Sequence, residues 1–292
     1  MKRKIHVSRA WLVFWLFFSF LTASLQPEES QTQAPPAPVL KDIPVPVIHV
    51  KGSHYEAGYQ IGTQLKNDIL RDVADMKKSP DWMKVRAEAE LFLAYSKKYL
   101  PEYVTEVKGT ADAVGLELED IFPSLCEEIG HENYRYTRGC SDLIASNDVT
   151  ADGSVLAAHN NDTAPSTQDS VVIVHYQVEG EPEIVTVGYG GLGISVGYNS
   201  AGISLTGNQV DSNDMRVGVP RLLKKNLGRI TVDKMKEFLS DHVNYPGSIC
   251  RHGKGVKTTF SVIINLTTQT MLLARGNPCE VKFKEYNFFA KK

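Results

Sequence analysis

The spacing of apolar residues changes period near the middle of the chain. Val47-Ile48-His49-Val50 first predicts a short strand. From His54 the pattern turns helical: Ile61, Leu65, Ile69 and Val73 recur at every fourth position, a stripe suited to burial. Ser79-Pro80-Asp81 breaks it, and residues 83–100 form a second helical pattern carrying Leu91, Phe92 and Tyr95. Pro101 suits the first turn of a third helix, whose stripe Val104, Val107, Ala111 and Val114 ends at Gly115. Residues 120–128 predict one more short helix.

Beyond Cys140 the chain reads as strands. Leu143-Ile144-Ala145 and Val155-Leu156-Ala157-Ala158 flank a turn at Ala151-Asp152-Gly153, a hairpin pattern. Residues 171–178 and 183–187 flank Glu179-Gly180-Glu181-Pro182 as a second hairpin, and residues 194–198 and 203–206 flank Asn199-Ser200-Ala201-Gly202 as a third. A helix starts after Thr231, a suitable cap, and runs through Met235, Phe238 and Leu239. Strands at 259–264, 271–274 and 281–283 close the chain. Helices first and antiparallel strands later predict an α+β class.

Composition narrows the function. The net charge of -2 and the lack of a long basic run after the amino terminus exclude nucleic acid as an expected partner. Four cysteines, Cys126, Cys140, Cys250 and Cys279, form no CxxC pair and show no linear zinc-ligand spacing, so neither metal nor cofactor is expected. A chain of 292 residues stabilises itself by burial and needs no disulfide framework. Cys250 and Cys279 read equally as buried thiols or as a pair.

The amino terminus has a targeting pattern. Lys2, Arg3, Lys4 and Arg9 precede an apolar block at 11–18 that continues to Leu25. Residues 1–25 are expected to be a secretory signal peptide, with an uncleaved signal anchor as the alternative. Both send the chain into the secretory pathway, to be secreted, lysosomal or single-pass anchored; a membrane is a partner only in the anchored case. Residues 26–46 form a Pro-rich linker, and 47–292 are expected to fold as one domain.

The candidate chemistry lies at Arg138-Gly139-Cys140-Ser141-Asp142, where the helical half meets the strands. Gly139 lets the backbone bend for attack by the next side chain, and a deprotonated cysteine is a strong nucleophile. Cleavage between Gly139 and Cys140 makes Cys140 a new amino terminus, whose α-amine (pKa about 8) serves as its own base. The predicted hairpin returns His159-Asn160-Asn161-Asp162 to Cys140, so that Asp162 reaches that amine. Asn208, in Thr206-Gly207-Asn208, offers an amide to an oxyanion. The plainer alternatives are a buried cysteine and polar strand ends making turn bonds.

These stretches, with Gly52-Ser53-His54-Tyr55-Glu56-Ala57-Gly58-Tyr59-Gln60-Ile61-Gly62, Gly197-Tyr198-Asn199-Ser200-Ala201-Gly202-Ile203 and Arg275-Gly276-Asn277-Pro278-Cys279, resemble the acyl-CoA:6-aminopenicillanate (isopenicillin-N) acyltransferase family. That family also contains insect beta-alanyl-dopamine hydrolase. The resemblance implies an N-terminal-nucleophile hydrolase, a four-layer αββα sandwich, cut by itself into an α chain (47–139) and a β chain (140–292). It implies Cys140 as nucleophile, Asp162 as partner of its amine, Asn208 as oxyanion donor, and a small N-acyl amine or N-acyl amino acid as substrate. His159 stands where related amidases often carry Arg, and its role stays open.

The sequence departs from the family after Leu223. A long family segment with a His-Thr-Asn-His-like motif is replaced by Lys224-Lys225-Asn226, leading almost directly to Gly228-Arg229-Ile230-Thr231. A family arginine near the last strands has no secure counterpart in Arg251 or Lys257. A non-catalytic secreted relative, or a shortened inactive form, is therefore the alternative reading. Asn265-Leu266-Thr267 is a glycosylation sequon expected to be usable, whereas Asn161-Asp162-Thr163 is expected to be empty because it adjoins the site.

Overall fold

A computed structural model describes residues 39–126, 139–190, 193–208, 222 and 224–289. The expected targeting segment and the expected linker up to Pro38 lie outside the described residues, as do residues 127–138, 209–221 and Leu223. Among the described residues no helix is long and apolar enough to cross a membrane.

Strand β1 (Val47–Gly52) leads into helix α1 (His54–Gln64). Ser53 caps α1 through a capping box: its hydroxyl accepts from the Glu56 amide at 3.3 Å, and Glu56 Oε2 accepts from the Ser53 amide at 2.8 Å. The four-residue stripe predicted one unbroken helix, but Leu65 adopts a non-helical ψ of 19°, and α2 (Lys66–Lys77) begins after it. The stripe survives the break, with Ile61, Ile69 and Val73 all buried.

Helix α3 (Trp82–Tyr99) turns a different face inward from the one its aromatic residues suggest. It buries Val85, Ala89 and Leu93, while Leu91 and Tyr95 are 64% and 67% exposed. Helix α4 (Pro101–Val114) starts on Pro101 and ends at Gly115 in a left-handed conformation, φ 82°. The helix expected at 120–128 is a single turn, α5 (Leu118–Ile121), followed by a 3-10 turn at Phe122–Leu125.

The remaining strands are β2 (Gly139–Asn147), β3 (Gly153–Thr163), β4 (Val171–Val178), β5 (Ile184–Tyr189), β6 (Gly193–Asn199) and β7 (Ser204–Thr206). After them come α6 (Val232–Leu239), β8 (Lys257–Asn265), β9 (Thr270–Ala274) and β10 (Lys284–Tyr286). The three expected hairpins form, and Thr231 caps α6 by accepting from the Lys234 amide at 3.2 Å. The last strand sits later than expected; Val281, from the expected strand, makes only an isolated bridge to Lys41.

Two five-stranded sheets result, ordered β1-β4-β5-β6-β7 and β10-β9-β8-β3-β2. Three apolar clusters order the layers. Helices α1–α5 cover one face of the first sheet through Ile61, Val107 and Ile121 against Val50, Val172 and Val174. Ile173, Val185 and Val187 meet Phe260, Val262 and Ile264 between the sheets. Met235, Phe238 and Leu239 of α6 cover the outer face of the second sheet. The molecule is a mixed α+β sandwich, and the candidate residues around Cys140 gather at one end of the β2–β3 hairpin.

Candidate active site

Cross-strand register builds the site. In the β2–β3 pair Cys140 lies opposite Asn161 and Asp142 opposite His159, so these four side chains share one face. Ala157, two residues before His159, belongs to the apolar cluster between the sheets. The four polar side chains therefore occupy the end of that inter-sheet space. Cys140 is half-buried, and the His159 side chain has no exposed surface.

His159 Nδ1 lies 2.6 Å from Asp142 Oδ1. Burial by itself pulls the imidazole pKa down, but hydrogen bonds to Asp142 and to the Cys140 thiol outweigh it and raise the group to about 9. At neutral pH this histidine is mainly a cation. A buried cation is a poor proton acceptor.

Asn161 ties the site to the opposite sheet. The Tyr189 hydroxyl donates to Asn161 Oδ1 at 2.5 Å, which turns the other end of the amide toward the sulfur. Asn161 Nδ2 stands 3.7 Å from Cys140 Sγ and 3.4 Å from His159 Nε2, and it donates to Ser195 Oγ of β6. Tyr189 also bonds Thr259 Oγ1 at 2.6 Å, locking β5 to β8 beneath the cluster.

The residues expected from sequence are distributed unevenly. Asp162 lies opposite Gly139, one register step from Cys140, as the hairpin reading required. It is buried, and its Oδ1 accepts from Thr258 Oγ1 at 2.7 Å. Asn208 joins the cluster at its edge, donating to Asp142 Oδ2 at 2.7 Å. Asn160, in the same stretch, points to the other face. Its amide donates to the carbonyls of Leu239 and Ile249 at 2.8 and 2.9 Å, so it anchors the end of α6. Asp142 and Asn161 escape a reading by motif, although strand alternation from Cys140 and the turn at Asp152-Gly153 would locate both.

The sequon at Asn161 is closed by these bonds and by burial of the residue. The Asn265 sequon, by contrast, departs from the expectation that it is usable. Asn265 is only 7% exposed, and its Oδ1 caps the turn by accepting from the Thr267 and Thr268 amides at 3.0 and 3.1 Å. A cavity of about 430 Å³ lined by His49, Gln60, His175 and Phe288 includes none of the Cys140 cluster, so polar chemistry rather than cavity size marks the site.

No family model matches the sequence. Over 140 residues it is 26% identical to the beta-alanyl-dopamine/carcinine hydrolase of Drosophila melanogaster. That protein is a hydrolase. The match covers 42% of this chain and 34% of the fly protein, so the likeness is to a part of it.

Proposed function

We propose that this chain is an autoproteolytic cysteine amidohydrolase or acyltransferase of the N-terminal-nucleophile type. It acts on the C–N amide bond of small N-acyl amines or N-acyl amino acids. The supporting observation is the convergence on Cys140 Sγ of a protonated His159 and the Asn161 amide, at the first residues of β2. Similarity to a hydrolase whose name specifies a β-alanyl amine agrees with the substrate class.

In the processing step the Cys140 sulfur attacks the Gly139 carbonyl carbon. The peptide C–N bond breaks, the released nitrogen takes up the thiol proton, and water hydrolyses the resulting thioester to a Gly139 carboxylate. In turnover the free α-amine of Cys140 accepts the thiol proton, because His159 is already protonated near neutral pH. The thiolate attacks the substrate carbonyl, and the amine leaves with that proton. Water then releases the acid, or a second amine takes the acyl group. Asn161, whose Nδ2 is 3.7 Å from Cys140 Sγ, donates to the developing oxyanion, Asn208 holds Asp142, and Asp162 receives the new ammonium group.

The other reading, a non-catalytic relative that keeps the sandwich, draws on the engagement of Asn208 by Asp142 and on the short connection through Lys224-Lys225-Asn226. Intact mass under denaturing conditions separates the two. Two fragments from the wild type, with the second beginning at Cys140, and one species from Cys140→Ala are expected. A single uncut species from both proteins overturns autoproteolysis.

A further inference from the structure

Away from the Cys140 cluster, four side chains with soft donor atoms converge on one point. His242, Cys250 and His252 come from the segment between α6 and β8, and Cys279 from the segment between β9 and β10. Their ligating atoms all lie within 4.8 Å of one another. Cys250 Sγ and Cys279 Sγ are 3.5 Å apart, each is 3.3 Å from His252 Nε2, and the His242 and His252 Nε2 atoms are 3.1 Å apart.

Hydrogen bonding alone does not account for this arrangement. His252 Nε2 has one in-plane direction, carrying either a proton or a lone pair, yet three partners surround it. A disulfide leaves both imidazoles without a purpose, and the sulfurs stand well beyond the bonded distance of about 2.05 Å. A central cation satisfies all four groups. With Zn–S of about 2.3 Å and Zn–N of about 2.05 Å, a tetrahedron has edges of about 3.8 Å between sulfurs, about 3.6 Å from sulfur to nitrogen and about 3.3 Å between nitrogens. The four observed separations follow the same ranking and fall within about 0.3 Å of the ideal edges, and the full set of ligating atoms lies within 4.8 Å.

The surroundings match such a centre. Glu280 Oε1 is 3.6 Å from His252 Nδ1, so a carboxylate attracts the proton to that nitrogen and leaves Nε2 as the donor. The buried Asn277 donates through Nδ2 to Cys250 Sγ at 3.5 Å, a bond that suits a thiolate. Two thiols give up one proton each on binding, and two thiolates with a dication and two neutral imidazoles make a centre of zero net charge. Zero charge suits Cys250, which has no exposed surface.

We propose that His242, Cys250, His252 and Cys279 form a structural zinc site. Tetrahedral S2N2 ligation by sulfur and imidazole favours zinc over magnesium, calcium or manganese. The four protein ligands close the coordination sphere, as in a structural rather than a catalytic centre. The metal clasps the segment before β8 to the segment after β9, and a chain of bonds leads from the clasp to the candidate active site. Asn277 Nδ2 donates to the Arg251 carbonyl at 2.7 Å, the Arg251 amide donates to Thr258 Oγ1 at 2.9 Å, and Thr258 Oγ1 donates to Asp162 at 2.7 Å.

Linear spacing conceals this site, because Cys279 is brought to the other three ligands only by the β8–β9 hairpin. The test uses the full chain, with metal content, total thiols under denaturing conditions and cobalt exchange as readouts. About one zinc per chain is expected, together with four titratable thiols. Cobalt should give the visible bands of a tetrahedral site and a thiolate charge-transfer band, and the latter should weaken in Cys279→Ser.

His242 is exposed, so His242→Ala is expected to fold and to bind cobalt at least about tenfold more weakly; Glu280→Gln should lose about tenfold through the imidazole it orients. Absence of zinc with two thiols missing overturns the proposal in favour of a Cys250–Cys279 disulfide. Zinc absent with all thiols free overturns it too, as does a cobalt spectrum and affinity unchanged in both His242→Ala and His252→Ala.

Discussion

His159 is the residue on which the electrostatics of the hairpin turn. Its imidazole is fully enclosed, yet Asp142 and the Cys140 thiol keep the charged form favoured, with a pKa raised to about 9. A histidine titrates near 6.5 in the unfolded chain. The contribution to stability is therefore complete below about pH 6.5 and disappears as the pH rises through about 9; it amounts to about 3 kcal/mol at most. Denaturant midpoints measured from pH 6 to pH 10 are expected to fall over this window, and His159→Gln should flatten that part of the curve. In Asp142→Asn burial wins, and the His159 ring signal in an NMR titration should move to a lower pKa. A curve or titration unchanged by either substitution would show that Asp142 does not hold the charge.

Among the elements, α1 and α4 are the most closely joined, and glycines make this possible. A methyl group at Gly58 would stand 1.8 Å from the Glu106 carbonyl oxygen, and one at Gly109 would stand 2.1 Å from that of Tyr55. The Gly52 to Gly62 stretch, noticed as a motif, thus places a helix rather than a reactive group. Gly58→Ala is expected to destabilise by about 3 kcal/mol or more through overpacking, read from urea melts; a loss within about 0.5 kcal/mol would mean that the helices part easily. Local chemistry made most elements legible: Pro101, Gly115 and Thr231 mark helix ends, and the Asp152-Gly153 and Glu179-Gly180 turns mark hairpins. The inward face of α3 was not legible, because small Val85 and Ala89 are buried while large Leu91 and Tyr95 are exposed, against their apolar weight. The last strand was displaced because Val281 is buried by a bridge to Lys41, which mimics a strand residue.

At the scale of the whole molecule, sequence gave the order of helices and strands but not which distant strands would pair. The location of Cys140 near a strand start and of Asp162 opposite the neighbouring Gly139 followed from a hairpin, a local object. Asn208 bonding Asp142, Ser195 bonding Asn161 and Cys279 meeting Cys250 depend on contacts across sheets and hairpins, which no linear spacing records. The least local of all these pairings is β1 with β4. These strands run parallel through six registered pairs, from Val47 with Ile173 to Gly52 with Val178.

This pairing bears on the fate of a chain cut before Cys140. The piece ending at Gly139 would own β1 and α1–α5, and the piece starting at Cys140 would own the strand to which β1 is hydrogen-bonded. Neither piece can depart without baring a ladder of backbone groups and the apolar face over which the helices lie. A cut molecule is thus expected to elute as one particle in native size-exclusion chromatography and to separate only in denaturant; elution as two particles would contradict this. Backbone continuity and structural continuity are separate properties here: one broken peptide bond would leave a heterodimer already assembled, its subunits held by a sheet formed before the cut.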